Sequence, residues 1–150
     1  MSDNWIIVIP EDADYVPNDD AQARAVALFR QIAPHADKVK KEVSDEVRFI
    51  DCGCNLSRIV CPHCGAELEM DWWSDLMDEE TEAGFPFREV SLPCCGRAGS
   101  PRTLGYDWPQ GFSRFSIEAM NPGIPDLSED QLAEFARVLG CPVRKILQHI

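Results

Sequence analysis

Two short segments of this 150-residue chain share one frame. Cys61-Pro-His-Cys-Gly65 and Leu92-Pro-Cys-Cys-Gly96 each place a proline second and a glycine fifth. In the first, the two-residue gap lets both thiolates converge on one ion, and Gly65 lets the backbone turn back without a Cβ clash. The second departs from this pattern. Cys95 matches Cys64, but Leu92 stands where the first cysteine belongs and Cys94 fills the variable place. Two ligand sets follow. Either the second turn opens so that Cys94 and Cys95 both ligate, or Cys52 or Cys54 supplies the fourth thiolate. Adjacent residues on a strand point oppositely, so the first option needs a true turn, which Pro93 and Gly96 favour. The expected ligands are Cys61, Cys64, Cys94 and Cys95, with Cys52 and Cys54 as substitutes. Four thiolates close the coordination sphere of one Zn2+, which makes the site structural and not catalytic. Metal binding would also stabilise a short polar segment whose own core is small.

The C-P-x-C-G turn has the form of a zinc knuckle, and residues 57–96 resemble the zinc-ribbon class. That resemblance implies two such turns, at the tips of two β-hairpins, sharing one zinc. The whole chain also resembles a group of small bacterial proteins that combine a C-P-x-C-G turn, a later P-C-C-G turn and a D-W-P-x-G-F segment, here Asp107 to Phe112. This second resemblance implies the architecture and no particular activity.

Cysteine use also bears on compartment. Seven is an odd count, and Cys94 and Cys95 are adjacent, so a secreted disulfide framework is not expected. The N-terminus has no basic region, Pro10 ends its apolar stretch, and no run approaches the roughly 20 apolar residues of a membrane helix. A cytoplasmic protein is expected. Cys141, between Gly140 and Pro142, reads as a packed thiol. Cys-Pro-His-Cys is also the active-site tetrapeptide of oxidising thioredoxin-like enzymes, where the first cysteine opens a helix. Here Gly65 follows at once and residues 66–71 alternate like a strand, so redox use of Cys61 and Cys64 is the lesser reading.

The chain outside this region has a regular order. Residues 5–9 read as a buried strand rich in β-branched side chains. A helix is expected over about 19–33, with a cap at Asn18 or Asp19 and Ala21, Ala25, Leu28 and Ile32 on one face. Residues 37–45 are charged and left unassigned; 47–50 read as a strand. The stretch 112–120 alternates, with Phe115, Ile117 and Ala119 on one face. Ser128 and Gln131 form a capping-box pattern, Leu132, Phe135, Ala136 and Leu139 make a stripe, and Gly140 stands at the C′ position. Residues 143–150 read as a strand. The expected fold is therefore α+β, a two-layer sheet with helices in split βαβ, ferredoxin-like order, forming one domain over 1–150 with an inserted cysteine-rich module at 51–111. Within the module, strands are expected at 57–60, 66–70 and 87–92 and a helix at 71–82, while 101–111 read as turns.

Charge is uneven. The net charge of −12 argues against a phosphate-backbone binder. Glu67, Glu69, Asp71, Asp75, Asp78, Glu79, Glu80 and Glu82 form a run without Lys or Arg that also holds Trp72, Trp73, Leu76 and Met77. The commoner case is a solvated helix with an apolar underside. The sharper one is a surface for a basic protein partner, using Trp72, Trp73, Asp75, Asp78, Glu79 and Glu80. No nucleotide loop, G-x-S-x-G, H-E-x-x-H or H-x-E element occurs, and no acid pair stands out as catalytic, so enzymatic activity is not expected. The leading expectation is a non-enzymatic, zinc-stabilised acidic protein that binds a protein partner, as an immunity or antitoxin protein binds a basic toxin. The alternative is a zinc-ribbon protein of nucleic-acid metabolism, with Arg88, Arg97, Arg102 and Arg114 forming a local patch. A thiol oxidoreductase is third.

Overall fold

The computed structural model describes residues 2–150. In chain order the elements are β1 (Asn4–Pro10), α1 (Asp19–Ile32), β2 (Lys38–Ile50), β3 (Arg58–Val60), β4 (Glu67–Leu68), α2 (Met70–Glu82), β5 (Val90–Ser91), β6 (Ala98–Gly99), β7 (Gly105–Asp107), β8 (Gly111–Met120), α3 (Glu129–Leu139) and β9 (Val143–His149). They form two compact units. One comprises the chain up to Asn55 together with Gln110–Ile150; the other is Leu56–Pro109.

The first unit is α+β. Its sheet has the order β2-β8-β1-β9, and every neighbouring pair is antiparallel. Each helix therefore links two strands that run the same way with a third strand between them, which is the split βαβ arrangement. Strand alternation decides which side chains meet the helices. Ile6 and Val8 of β1 pair with Ala119 and Ile117 of β8, and all four join the core with Phe115. From the helices come Ala25 and Phe29 of α1 and Phe135 and Leu139 of α3. The Phe29 and Phe135 rings meet edge-on with centroids 5.0 Å apart.

Local sequence fixes the helix ends. The Asn18 side chain accepts the Ala21 N–H. Ser128 and Gln131 form the full reciprocal capping box, and Gly140 ends α3 with φ of 76°. On α1 the buried face is Ala21, Ala25 and Phe29, while Leu28 and Ile32 are only partly covered. Residues 38–45, unassigned from sequence, are the first half of β2. This is an edge strand, so lysines and glutamates are tolerated along it, and Lys40 Nζ meets Glu42 Oε1 at 2.6 Å. Its pairing with β8 shifts register between Val43 and Arg48, where the ladder is interrupted. Cys141 packs, half-buried, against the core.

The second unit is a set of short hairpins. Strands β4, β3 and β7 form one antiparallel sheet in that order, and β5 and β6 form a two-stranded ribbon. A small core of Ile59, Cys61, Leu68, Leu92 and Leu104 holds it together, with Leu56, Trp72, Trp73 and Tyr106 packed against it. Two expectations are corrected. The turn-rich stretch 101–111 contains strand β7. The strand expected over 87–92 shrinks to Val90–Ser91, because Phe85 and Phe87 adopt positive φ of 58° and 57°.

Candidate metal centre

The two cysteine turns cap two hairpins. Residues 61–65 join β3 to β4, and residues 92–96 join β5 to β6. Their backbones carry the same hydrogen bonds. In the first, Cys61 N–H donates to Ala66 O and Gly65 N–H to Cys61 O, at 2.8 and 3.0 Å. In the second, Leu92 N–H donates to Arg97 O and Gly96 N–H to Leu92 O, at 2.9 and 2.8 Å. Gly65 and Gly96 have φ of 74° and 75°, the left-handed conformation that closes each turn. Leu92 is thus the equivalent of Cys61 in backbone terms. It is 1% exposed and belongs to the core.

The thiolate missing at Leu92 is replaced by Cys94. The Sγ atoms of Cys61, Cys64, Cys94 and Cys95 all lie within 4.8 Å of one another. Cys61 Sγ is 3.8 Å from Cys95 Sγ, and Cys64 Sγ is 3.5 Å from Cys94 Sγ. Four sulphurs each about 2.3 Å from a tetrahedral ion would be about 3.8 Å apart. The cluster therefore fits a metal ion held by two thiols from each turn. His63 occupies, in the first turn, the place that Cys94 has in the second. Its ring nitrogen Nε2 donates to the carbonyl of Ala98 at 2.8 Å, tying the first turn to β6.

Electrostatics around the sulphurs are uneven. Burial disfavours the Cys61 thiolate, but the backbone N–H groups of Cys64 and His63, with the Cys94 and Cys64 thiols, outweigh it and lower this thiol to about 6. His63 N–H and Cys64 N–H lie 3.3 and 3.4 Å from its sulphur. Cys94 is pushed up to about 12 by burial, by hydrogen bonding with the Cys64, Cys61 and Cys95 thiols and by the Cys61 charge. Four sulphurs this close cannot all carry charge unless a cation neutralises them.

The substitutes Cys52 and Cys54 belong to the other unit. Cys52 is fully buried. Its N–H and its thiol both meet Gln110 Oε1, at 3.0 and 3.4 Å, and burial raises the thiol to about 11. Cys54 is exposed, and its N–H donates to His149 O.

Helix α2 carries the acidic strip. Leu76 and Met77 are buried, and Trp72 and Trp73 are half-buried against the small core. Trp73 Nε1 donates to Tyr106 Oη at 3.1 Å, and the two rings meet edge-on. Asp75, Asp78 and Glu79 are exposed. Glu80, expected on the surface, is only 3% exposed. Its carboxylate accepts the Phe87 N–H at 3.0 Å and its carbonyl accepts the Phe85 N–H at 2.8 Å. Glu80 therefore holds the left-handed Phe85–Phe87 loop and cannot reach a partner. By helical spacing Glu80 shares a face with Trp73, Leu76 and Met77, a sign of burial that the run of eight acids around it masks. Of the four arginines, Arg102 stacks on Phe87 at 4.8 Å, Arg88 and Arg97 are exposed, and Arg114 belongs to β8 of the α+β unit and donates to Ser44 O.

Comparison with protein-family models, with curated proteins and with solved structures gave no match. No helix among the described residues is long and apolar enough to cross a membrane.

Proposed function

We propose that this protein is a non-enzymatic, zinc-stabilised binding protein whose partner is a basic protein, and that an immunity or antitoxin role against a basic toxin suits it. One observation carries the reading. The outward acids of α2 are placed against its own stability. Asp75, Asp78, Glu79 and Glu82 fall at i,i+3 and i,i+4 spacings, where like charges destabilise a helix by about 0.2–0.5 kcal/mol per pair. Glu79 and Glu82 crowd the C-terminal turn, where the helix dipole favours cations, and that turn holds no basic residue. Among the described residues no Lys or Arg forms an ion pair with any of them. A surface that costs stability in the free chain is accounted for when a cationic partner covers it. Zinc suits a set of four thiolates, and a closed set leaves no open position for chemistry.

Elemental analysis should find about one zinc per chain with four thiols protected from alkylation. A partner captured from native cells should be basic, and its binding should weaken with salt and be lost in an Asp75→Lys/Asp78→Lys/Glu79→Lys variant. Recovery of RNA or DNA, with binding lost on removing Arg97 and Arg102, would favour the nucleic-acid reading. Arg102 on Phe87 beside exposed Arg88 supports that second reading. A metal-free Cys61–Cys64 disulfide that cycles readily would favour the oxidoreductase.

A further inference from the structure

Beside the second cysteine turn the surface is hollowed. One cavity of about 420 Å³ is lined by Glu67, Leu68, Glu69, Trp72, Pro93 and Cys94. A second, of about 430 Å³, shares Glu67, Leu68 and Glu69 and continues over Met70, Asp71 and Ser57. Because they share three residues, the two make one groove along β4 and into the first turn of α2. Its walls combine two kinds of surface. Trp72, Pro93 and the 40%-exposed Met70 are apolar. Glu67, Glu69 and Asp71 are carboxylates that no Lys or Arg pairs with among the described residues. Glu69 is the N-cap residue of α2, yet its side chain makes no capping bond. Cys94 would add charge of the same sign if the cluster held a divalent ion, because four thiolates on such an ion keep a double negative charge.

The chemistry of the groove selects its occupant. Nucleic-acid phosphate would be repelled by the carboxylates and the thiolate centre. A wholly apolar segment would desolvate carboxylates without pairing them. Long aliphatic stems that end in a cation satisfy both surfaces: the stems pack on Trp72, Pro93 and Met70, and the cations lie over the indole face and between the carboxylates. We propose that this groove is the anchor site for an extended basic segment of a protein partner, with Lys or Arg side chains seated between Trp72, Glu67 and Glu69. This rests on the reading of the protein as a binder of a basic protein and names the place of binding.

The test uses the full zinc-loaded chain and a synthetic Gly/Ser nonapeptide with a central Arg-Lys-Arg, against a control with norleucine at those three positions. In NMR titration, saturable shifts at residues 67–72, 93 and 94 and at the Trp72 indole N–H are expected with the basic peptide alone. Trp72→Leu and Glu67→Gln/Glu69→Gln should each weaken binding on the order of 3- to 10-fold. Glu67 and Glu69 are exposed, so the double variant keeps the fold and its zinc content. Shifts confined to Asp75, Asp78 and Glu79, untouched by the groove variants, would overturn the groove while leaving the basic-partner reading intact. Equal binding of the norleucine control would overturn the cationic occupant. Absence of any shift with the basic peptide would overturn the groove, and only a non-basic captured partner would overturn the wider reading.

Discussion

In the α+β unit, eleven buried side chains form one continuous cluster, nine of them from two helices and two strands, with Ala33 and Leu127 beside the helix ends; in the hairpin unit the corresponding cluster has five, and one of those is Cys61. The strands differ in the same way. β2 and β8 have 13 and 10 residues, while β4, β5 and β6 have two each. Hydrophobic burial scales with apolar area, so a unit with little area needs another source of stability. Polar contacts also hold the hairpin unit's helix and loop: Trp73 Nε1 donates to Tyr106 Oη, and Phe87 N–H donates to the Glu80 carboxylate. Tyr106 Oη in turn donates to Pro101 O. Cross-links of this kind, beside a four-cysteine cluster that could hold a metal ion, stand in one unit where packed phenylalanines stand in the other.

Removing the metal should give the largest effect. Structural zinc in small modules supplies on the order of 10 kcal/mol of folding free energy. A strong chelator, or Cys61→Ser, should abolish amide protection in residues 56–109 and the fixed environment of Trp72 and Trp73. Protection in β1, β8 and β9 should persist. If the hairpin unit stays protected after chelation, the metal is not its support; if both units lose protection together, the contrast between them is wrong.

The converse change tests the other side. Phe135 is fully buried against Phe29, and Phe135→Ala should cost about 3–5 kcal/mol in denaturant unfolding. Zinc stoichiometry in native buffer should not change. A loss of zinc below the unfolding midpoint would mean that the metal centre depends on the helix-covered sheet.

How much of each unit could be read from sequence follows from what stabilises it. The α+β unit follows local rules. Alternation marked β8, the Ser128–Gln131 box and Gly140 bounded α3, and β-branched residues marked β1. The first half of β2 escaped because a charged edge strand owes its conformation to pairing with β8, not to its own pattern. In the hairpin unit the turns were legible from Pro and Gly spacing, as was the strip carrying Trp72 and Trp73. The role of Cys94 could be posed from sequence but not decided, since it depends on how two distant turns meet. The placement of Glu80 had only its helical spacing from Leu76 and Met77 as a local sign, and the strand around Tyr106 had none. One rests on a left-handed loop five to seven residues away, and the other on a three-residue pairing with β3.

A cap tests the local rules at smaller amplitude. Ser128→Ala removes the Oγ acceptor of the Gln131 N–H and leaves only the bond from the residue-128 backbone N–H to Gln131 Oε1, at a cost of about 1 kcal/mol. Thermal unfolding of the α+β unit should shift down by a few degrees, and amide exchange should quicken first in residues 129–132. An unchanged transition would mean that α3 is held by Phe135 and Leu139 alone.

The smallest effect separates the two kinds of cysteine. Cys61 of the metal centre is held at a turn whose backbone N–H groups stabilise its charge, whereas Cys52 is sealed in the α+β unit beside Gln110, and burial raises it to about 11 from the ordinary 9.0. The folded state therefore keeps its proton at pH values where the unfolded chain has lost it. The sign follows: stability from this thiol is complete below pH 9, declines between pH 9 and 11, and is gone above that window. Cys52→Ala should flatten the stability of the α+β unit across that window relative to the parent chain, measured by denaturant midpoints at stepped pH. In the native protein at pH 8, Cys52 should also be the slowest of the non-ligand cysteines to alkylate, behind exposed Cys54 and half-buried Cys141. Prompt labelling of Cys52 would show that the segment 52–55, bridged to His149, opens readily, and the α+β unit would then not be the uniformly packed partner in this comparison.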